Sequence, residues 1–306
     1  MKISTALEGF WLEKRRQVSP RTVENYTRIF NQFIDHLGDL ELEQVTTIDI
    51  RRHLDHLERV RRLSKRSVYD AWVGLSSLWT WASAELGIPH IIRSKIKAPK
   101  YPKTDVDPFT RDDIKALLRA CEYSNEWETG RGKITQSKRD TWLRDRAIVL
   151  TLVDSGIRSS ELCDLTIADY DTGRGRLHIR HGKGDKARYV FLGDRTRKAL
   201  WKYLNDRPGA KQAEPLFATR SKTHITRRNL GHLLNHLAER AGVEHCHPHR
   251  FRHTMAINFL RNGGNTLELQ KVLGHESLEM VRRYARLAES DLERTADKSV
   301  GDNWKL

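Results

Sequence analysis

Apolar residues along the first hundred positions recur in steps of three and four, the spacing of one helix face. Ser19 and Pro20 form a cap and first-turn pair, and Val23, Tyr26, Phe30, Phe33 and Leu37 then make one stripe that stops at Gly38. Thr47 opens a second expected helix, with Ile50, Leu54 and Leu57 on one face and Arg51, Arg52, Glu58 and Arg59 on the other. A third starts at Ser64 and aligns Val68, Trp72, Leu75, Trp79, Ala82 and Leu86 before Gly87, with the tryptophans as core residues. The period is lost from Lys95 to Asp107, where Lys97, Pro99, Lys100, Pro102 and Lys103 read as a basic connector. The pattern predicts a helical domain over 1–95, a linker over 96–107 and a second domain over 108–306.

The second domain opens with Thr110 to Asp113, a capping-box type start ahead of Ile114, Leu117 and Leu118. Residues 129–138 are polar and read as an exposed loop. Trp142, Ala147, Leu150 and Leu152 then resume a buried helix that Gly156 ends. A short helix begins at Ser159, which leaves Arg158 at its N-terminus with the carboxylate of Glu161 three residues on. Alternation with period two marks Arg176 to Arg180 and Ala187 to Leu192 as hairpin strands joined by the segment 181–186. Glycines on both sides of Lys183 free the tip of that turn, either to enter a groove or simply to meet solvent. Helices return over 196–204 and 226–241, and Leu216-Phe217-Ala218 reads as a short strand. The sum is a mainly α fold with a small β-sheet and no internal repeat.

Charge narrows the function. With 55 Lys and Arg against 40 Asp and Glu the chain carries a formal +15, and its pI near 9.8 predicts a polyanionic partner, most commonly nucleic acid. The alternative is a basic but unengaged surface. Cys121, Cys163 and Cys246 lack metal-ligand spacing, and an odd number argues against a disulfide framework. No apolar run approaches the roughly 20 residues of a membrane span, and no apolar signal segment opens the chain. A cytoplasmic protein without membrane contact is expected.

The candidate chemistry lies near the C-terminus. Pro248 suits a first helical turn, after which His249, Arg252 and His253 fall three and four residues apart, placing two imidazoles and a guanidinium on one face. Leu267 to Leu273 reads as a short helix stopped by Gly274, and Ser277 caps another in which Met280 and Leu287 bracket Tyr284. Blander readings stand beside these. A single helical tyrosine is commonly a core residue, and His249 with His253 has the i, i+4 spacing of zinc ligands, although Arg252 lies between them and no acidic or Cys partner is near. Arg59, Arg61, Arg62, Lys65 and Arg66 cluster at a helix junction, where they hold phosphates or form a solvated face.

Taken in order, Ser155-Gly-Ile-Arg158-Ser-Ser-Glu161-Leu162, Gly182-Lys183-Gly-Asp-Lys-Ala-Arg188, His249-Arg-Phe-Arg252-His253, Leu273-Gly-His275 and Tyr284 resemble the successive boxes of the tyrosine recombinase (phage integrase) family. Five boxes in sequence make chance agreement improbable. Phe251 stands where leucine is usual, a departure that affects packing. The resemblance implies an α+β catalytic domain behind a helical core-binding domain, together a DNA clamp of the compact Xer or mobile-element type, without a further arm-binding domain. It also implies site-specific cleavage and rejoining of DNA through a 3′-phosphotyrosyl intermediate and a Holliday junction, with no cofactor and no metal.

By the same resemblance Tyr284 is the nucleophile, Arg158 and Arg252 hold the phosphoryl oxygens, and His275 donates a further hydrogen bond. His249 assists proton movement and Lys183 protonates the leaving 5′-oxygen. Glu161 braces the arginines and His253 supports its helix. Lys65, Arg66, Lys186 and Arg188 are expected as DNA contacts. The implied partner is duplex DNA with paired sites, bound by a homotetramer that includes a related recombinase in some systems, in the cytoplasm on the nucleoid. Leu292, Val300 and Trp304 on the polar tail after Ala288 suggest contact with a neighbouring protomer. Two alternatives use the same features: a type IB topoisomerase, which acts as a monomer without paired sites, and a DNA-binding regulator without catalysis.

Overall fold

The structure is a computed structural model that describes residues 1–102, 107–130, 133–180, 187–274 and 278–288. The chain divides into two compact units, Met1–Asp105 and Val106–Leu306.

The first unit is helical: α1 (Ile3–Lys14), α2 (Pro20–Leu37), α3 (Thr47–Asp55) and α4 (Lys65–Glu85). The Ser19 hydroxyl accepts from Thr22 N at the head of α2, and Ser64 does the same for Ser67 N at the head of α4. The cap of α3 is Thr46, one residue before the expected Thr47, because the Asp49 carboxylate accepts from the Thr46 backbone N–H and completes a capping box. Phe10 packs edge-on against Phe30 and Trp81, and Phe33 against Trp79; of the two expected core tryptophans Trp79 is fully buried and Trp72 is partly buried at the edge of the core. Ile88, Ile92 and Ile96 bring the following chain back onto the same core. The start of the proline-containing segment therefore packs with this unit, and Arg51 donates to the carbonyl of Lys95.

In the second unit α6 (Trp142–Ser155) runs through the core, carrying Ala147, Ile148, Val149 and Leu152 without exposed surface. It packs against α5 (Arg111–Glu122), α8 (Asp194–Asn205) and α10 (Pro248–Arg261), while α9 (Arg227–Ala241) covers α5 and α7 (Ser159–Asp164). The expected cap at Thr110 is present as a full capping box with Asp113. Strand β1 (Trp127–Glu128), just before the segment read as a loop, pairs with β2 (Ile134–Thr135) inside it. Strands β3 (Tyr170–Asp171), β4 (Arg176–Ile179) and β5 (Arg188–Phe191) form an antiparallel sheet in the order β3-β4-β5. Leu216, Phe217 and Ala218 are buried as expected of a strand but form only isolated bridges at Pro215 and Ala218. The last two helices, α11 (Thr266–Leu273) and α12 (Leu278–Ala288), make with α10 a small separate cluster of Ala256, Ile257, Leu269, Leu273, Val281 and Tyr284.

Candidate active site

The site is built where three chain segments end. Gly156 closes α6 in the left-handed region, φ 57°, and a Cβ there would meet the side chains of Leu273 and Met255 at 3.3 Å. That close approach brings α6 against α10 and α11. Two residues on, Arg158 caps α7, and Glu161 accepts from its backbone N (2.8 Å) and from its Nη1 (2.8 Å). Glu161 in turn faces β5, where Arg188 Nη1 and Nη2 donate to its two oxygens at 2.9 and 2.8 Å. Burial works to raise the Glu161 pKa. The hydrogen bonds from Arg188 and the Arg158 backbone overcome it and hold the carboxyl at about 2.

Helix α10 presents the second group. His247 caps it by accepting from Arg250 N, and Pro248 fills the first turn. Phe251 turns into the main core against Phe109, with ring centroids 4.6 Å apart, and Arg252 turns to the site. Arg252 is buried, and burial followed by the nearby Arg158 lowers its pKa to about 10, which leaves it charged at neutral pH. Its Nη1 donates to Gly156 O (2.8 Å) and its Nη2 to Leu273 O (2.6 Å).

The arginines meet at the C-terminus of α11. Val272 O accepts from Arg188 Nε (2.9 Å), Leu273 O from Arg252, and Gly274 O from Arg158 Nη2 (3.3 Å). Three successive carbonyls at a helix end, where intrahelical donors run out and the helix dipole is negative, thus each receive a different guanidinium. Gly274 ends α11 at φ 62°, and a Cβ on it would lie 3.3 Å from Arg188 Nη1. Tyr284 on α12 lies beside this shelf at 2 % exposure, its ring 5.3 Å from that of His253. His249 is exposed on the first turn of α10, yet partial loss of water, then Arg252 and Arg158, lower its pKa and favour the neutral imidazole. Among the described residues, no three His, Cys, Asp or Glu side chains are grouped to hold a metal ion.

The structure thus brings together Arg158, Glu161, His249, Arg252, His253 and Tyr284. Lys183, Lys186, His275 and Ser277 lie outside the described residues. Arg188, expected on the DNA surface, faces inward instead, its side chain 9 % exposed. The reason is strand alternation: Arg188 pairs with Ile179 and shares the buried face with Val190, leaving Tyr189 and Phe191 outside. That alternation is legible in the sequence. Arg66 is likewise engaged within its own unit, by Asp70 at 3.0 Å and the Tyr101 hydroxyl at 2.5 Å, whereas Lys65 is exposed on the first turn of α4.

Residues 108–291 match the phage integrase family and residues 12–86 match its N-terminal SAM-like domain. The tyrosine recombinase XerC of Pelobacter propionicus is 31 % identical over 294 residues, which span 94 % of this chain and 92 % of that protein. The tyrosine recombinase XerA of Thermococcus kodakarensis is 28 % identical, over 92 % of this chain and 90 % of the other. Among solved structures, the Tn1549 transposon integrase in complex with a circular intermediate DNA shares the fold, with a TM-score of 0.79 at 18 % identity and 96 % and 99 % of the two chains covered. The chain belongs to the phage integrase family and is a tyrosine recombinase.

Proposed function

We propose that this recombinase cleaves and rejoins duplex DNA at paired sites with Tyr284 as nucleophile. The observation that carries the assignment is the convergence of Arg158 and Arg252 on the carbonyls of Leu273 and Gly274, beside Tyr284 and His249. In-line attack places extra charge on the non-bridging phosphoryl oxygens, and two fixed guanidiniums answer it with charge-assisted hydrogen bonds. The phenol oxygen forms a bond to phosphorus while the bond to the 5′-oxygen breaks. His249, held neutral, takes the phenol proton; Lys183 gives a proton to the leaving 5′-oxygen, and His275 supports the phosphate. The phosphotyrosyl ester keeps the energy of the original diester, so a 5′-hydroxyl from the second duplex reseals the strand through a Holliday junction. Because Tyr284 is 2 % exposed, its attack requires α12 to shift on the small cluster it forms with α10 and α11.

The working assembly in this proposal is a homotetramer on DNA in the cytoplasm, with a related recombinase replacing some protomers where one exists. A groove of about 790 Å³ in the second unit supports it, having an apolar floor that includes Ile114, Leu118 and Leu143 and a rim that includes Arg146 and Lys198. The tail after Ala288 carries the apolar Leu292, Val300 and Trp304, which suit the apolar floor, among charges of both signs. Truncation after Leu287 is expected to spare single-site binding and weaken cooperative assembly on paired sites.

A nicked suicide duplex, on which the cleaved fragment diffuses away, tests the chemistry. The parent chain should accumulate a 3′-linked covalent adduct and Tyr284→Phe should bind without forming one. An adduct that persists in Tyr284→Phe assigns the attack to another residue.

A further inference from the structure

We propose that Arg188 is a positioning residue of the strand-cleavage reaction, which keeps the Glu161 carboxylate from drawing Arg158 away from the phosphate. The inference rests on the reading above that Arg158 holds the phosphoryl oxygens. Glu161 has two oxygens and lies next to two arginines. Arg158 reaches Oε1 through Nη1 and Oε2 through its backbone N–H, both at 2.8 Å, while Arg188 occupies both oxygens from the other side at 2.9 and 2.8 Å. A buried carboxylate left with Arg158 alone would be satisfied best by a paired, fork-like contact with it, because bidentate geometry is the strongest pairing open to the two groups. That contact would turn toward Glu161 the face of the guanidinium that the phosphate needs. Arg188 removes the incentive by filling the carboxylate first.

The α11 shelf fixes Arg158 from its other side. The same Arg188 donates through Nε to Val272 O and lies against Gly274, which leaves Gly274 O to Arg158 and Leu273 O to Arg252. One side chain therefore sets two of the fixed points of Arg158, its carboxylate and its carbonyl. It does so from the first residue of β5, whose partner across the sheet is Ile179. The guanidinium fork accounts for these three hydrogen bonds: Nε to a carbonyl and two Nη to a carboxylate, a pattern that an ammonium lacks. The side chain is 9 % exposed, and its described donors go to Glu161 and Val272.

Three variants, with Glu161→Gln alone as the reference for the double variant, test this on the suicide duplex that traps the parent adduct, reading single-turnover cleavage of saturated complex, the salt dependence of binding and the thermal midpoint. Arg188→Met should slow cleavage about 100-fold, the scale expected for a displacement of about 1 Å at the reacting centre, with an unchanged salt slope. Arg188→Lys keeps the stem and charge and carries the test should the Met variant fail to fold. It should remain folded and still lose at least about tenfold in the cleavage step, because one ammonium cannot fill three acceptors in the fork geometry. Adding Glu161→Gln to Arg188→Met should restore part of the rate, since the neutral amide no longer competes for Arg158.

A salt slope lowered by about one with cleavage unchanged would make Arg188 a phosphate contact after all and overturn the proposal. Full activity in Arg188→Lys, or a double variant slower by the product of the two single losses, would overturn it equally. Failure of the parent chain to form an adduct would instead remove the strand-cleavage reading itself, and this inference with it.

Discussion

The two units use the same side chain in opposite ways. In the first, Arg61, Arg62 and Lys65 lie exposed at the junction of α3 and α4, and Arg66 is exposed while bridging Asp70 and Tyr101. In the second, Arg252 and Arg188 are turned inward and Arg158 is largely covered, each tied to a carbonyl of α11. Exposed cations release counterions from DNA and set affinity. Buried ones are too constrained to search for a phosphate, but they are already placed when one arrives. Under the proposed function, a net charge of +15 divides into two quantities, one of adhesion and one of chemistry.

The largest expected effect lies in the buried set. Arg158→Ala should reduce single-turnover cleavage by about 1000-fold with less than a tenfold change in affinity, checked by quench kinetics on saturated complex. Replacing the bridging 5′-oxygen by sulfur should not rescue it, whereas Lys183→Ala should recover on that strand because a thiolate leaves without protonation. Rescue of Lys186→Ala with Lys183→Ala still inactive would reassign the proton donor.

Acid should separate the units next. His53 is fully buried against Phe33 and His36, with no hydrogen-bond partner on either ring nitrogen. Burial first, then His36 and His56, push its pKa down to about 3 from an ordinary value of 6.5. The unfolded chain binds this proton below pH 6.5 while the folded unit refuses it until about 3. The contribution of His53 to stability is thus complete above 6.5 and declines as pH falls through that window, on the order of 3 kcal/mol by pH 4. Glu161 behaves differently: with its folded pKa at about 2 against 4.5 unfolded, its stabilisation is whole above 4.5 and lost only as pH falls toward 2. Melts between pH 7 and 4 should show a falling midpoint in the parent and a flatter one in His53→Leu. Equal slopes in the two chains would show that the folded unit accommodates the charged imidazole.

The smallest effects belong to the exposed set. Arg61→Ala, Arg62→Ala and Lys65→Ala should each lower the slope of log affinity against log salt by about one or less and leave thermal stability within about 0.5 kcal/mol. Titrations of labelled duplex at several salt concentrations measure both the slope and its change.

How much of this was readable beforehand follows from the range of each interaction. Caps at Ser19, Ser64 and Thr110, the stop at Gly156 and the period of α4 are local, so adjacent residues specify them. The Arg158–Glu161 pairing was visible for the same reason, since both ends lie within one helical turn. The α11 shelf was not, because it joins residues 84 and 116 positions apart through carbonyls, which no side-chain pattern announces. The hairpin β1–β2 escaped because two-residue strands carry too little alternation to register, and α1 was missed in detail although Ile3, Ala6, Leu7 and Phe10 form its buried stripe. His53 carried no signal either: an imidazole on an apolar face becomes unusual only once its neighbours prove unable to bond it.

The division between adhesion and chemistry is tested most directly by measuring two quantities on two proteins, the salt slope of binding and the single-turnover cleavage rate at saturation. The combined variant Arg61→Ala, Arg62→Ala and Lys65→Ala should lose up to about three units of slope and keep its rate within a few-fold, while Arg158→Ala should keep its slope to within about one and lose the rate. A surface variant that cleaves as slowly as Arg158→Ala when fully bound, or an Arg158→Ala protein whose only defect is weaker binding, would contradict the account.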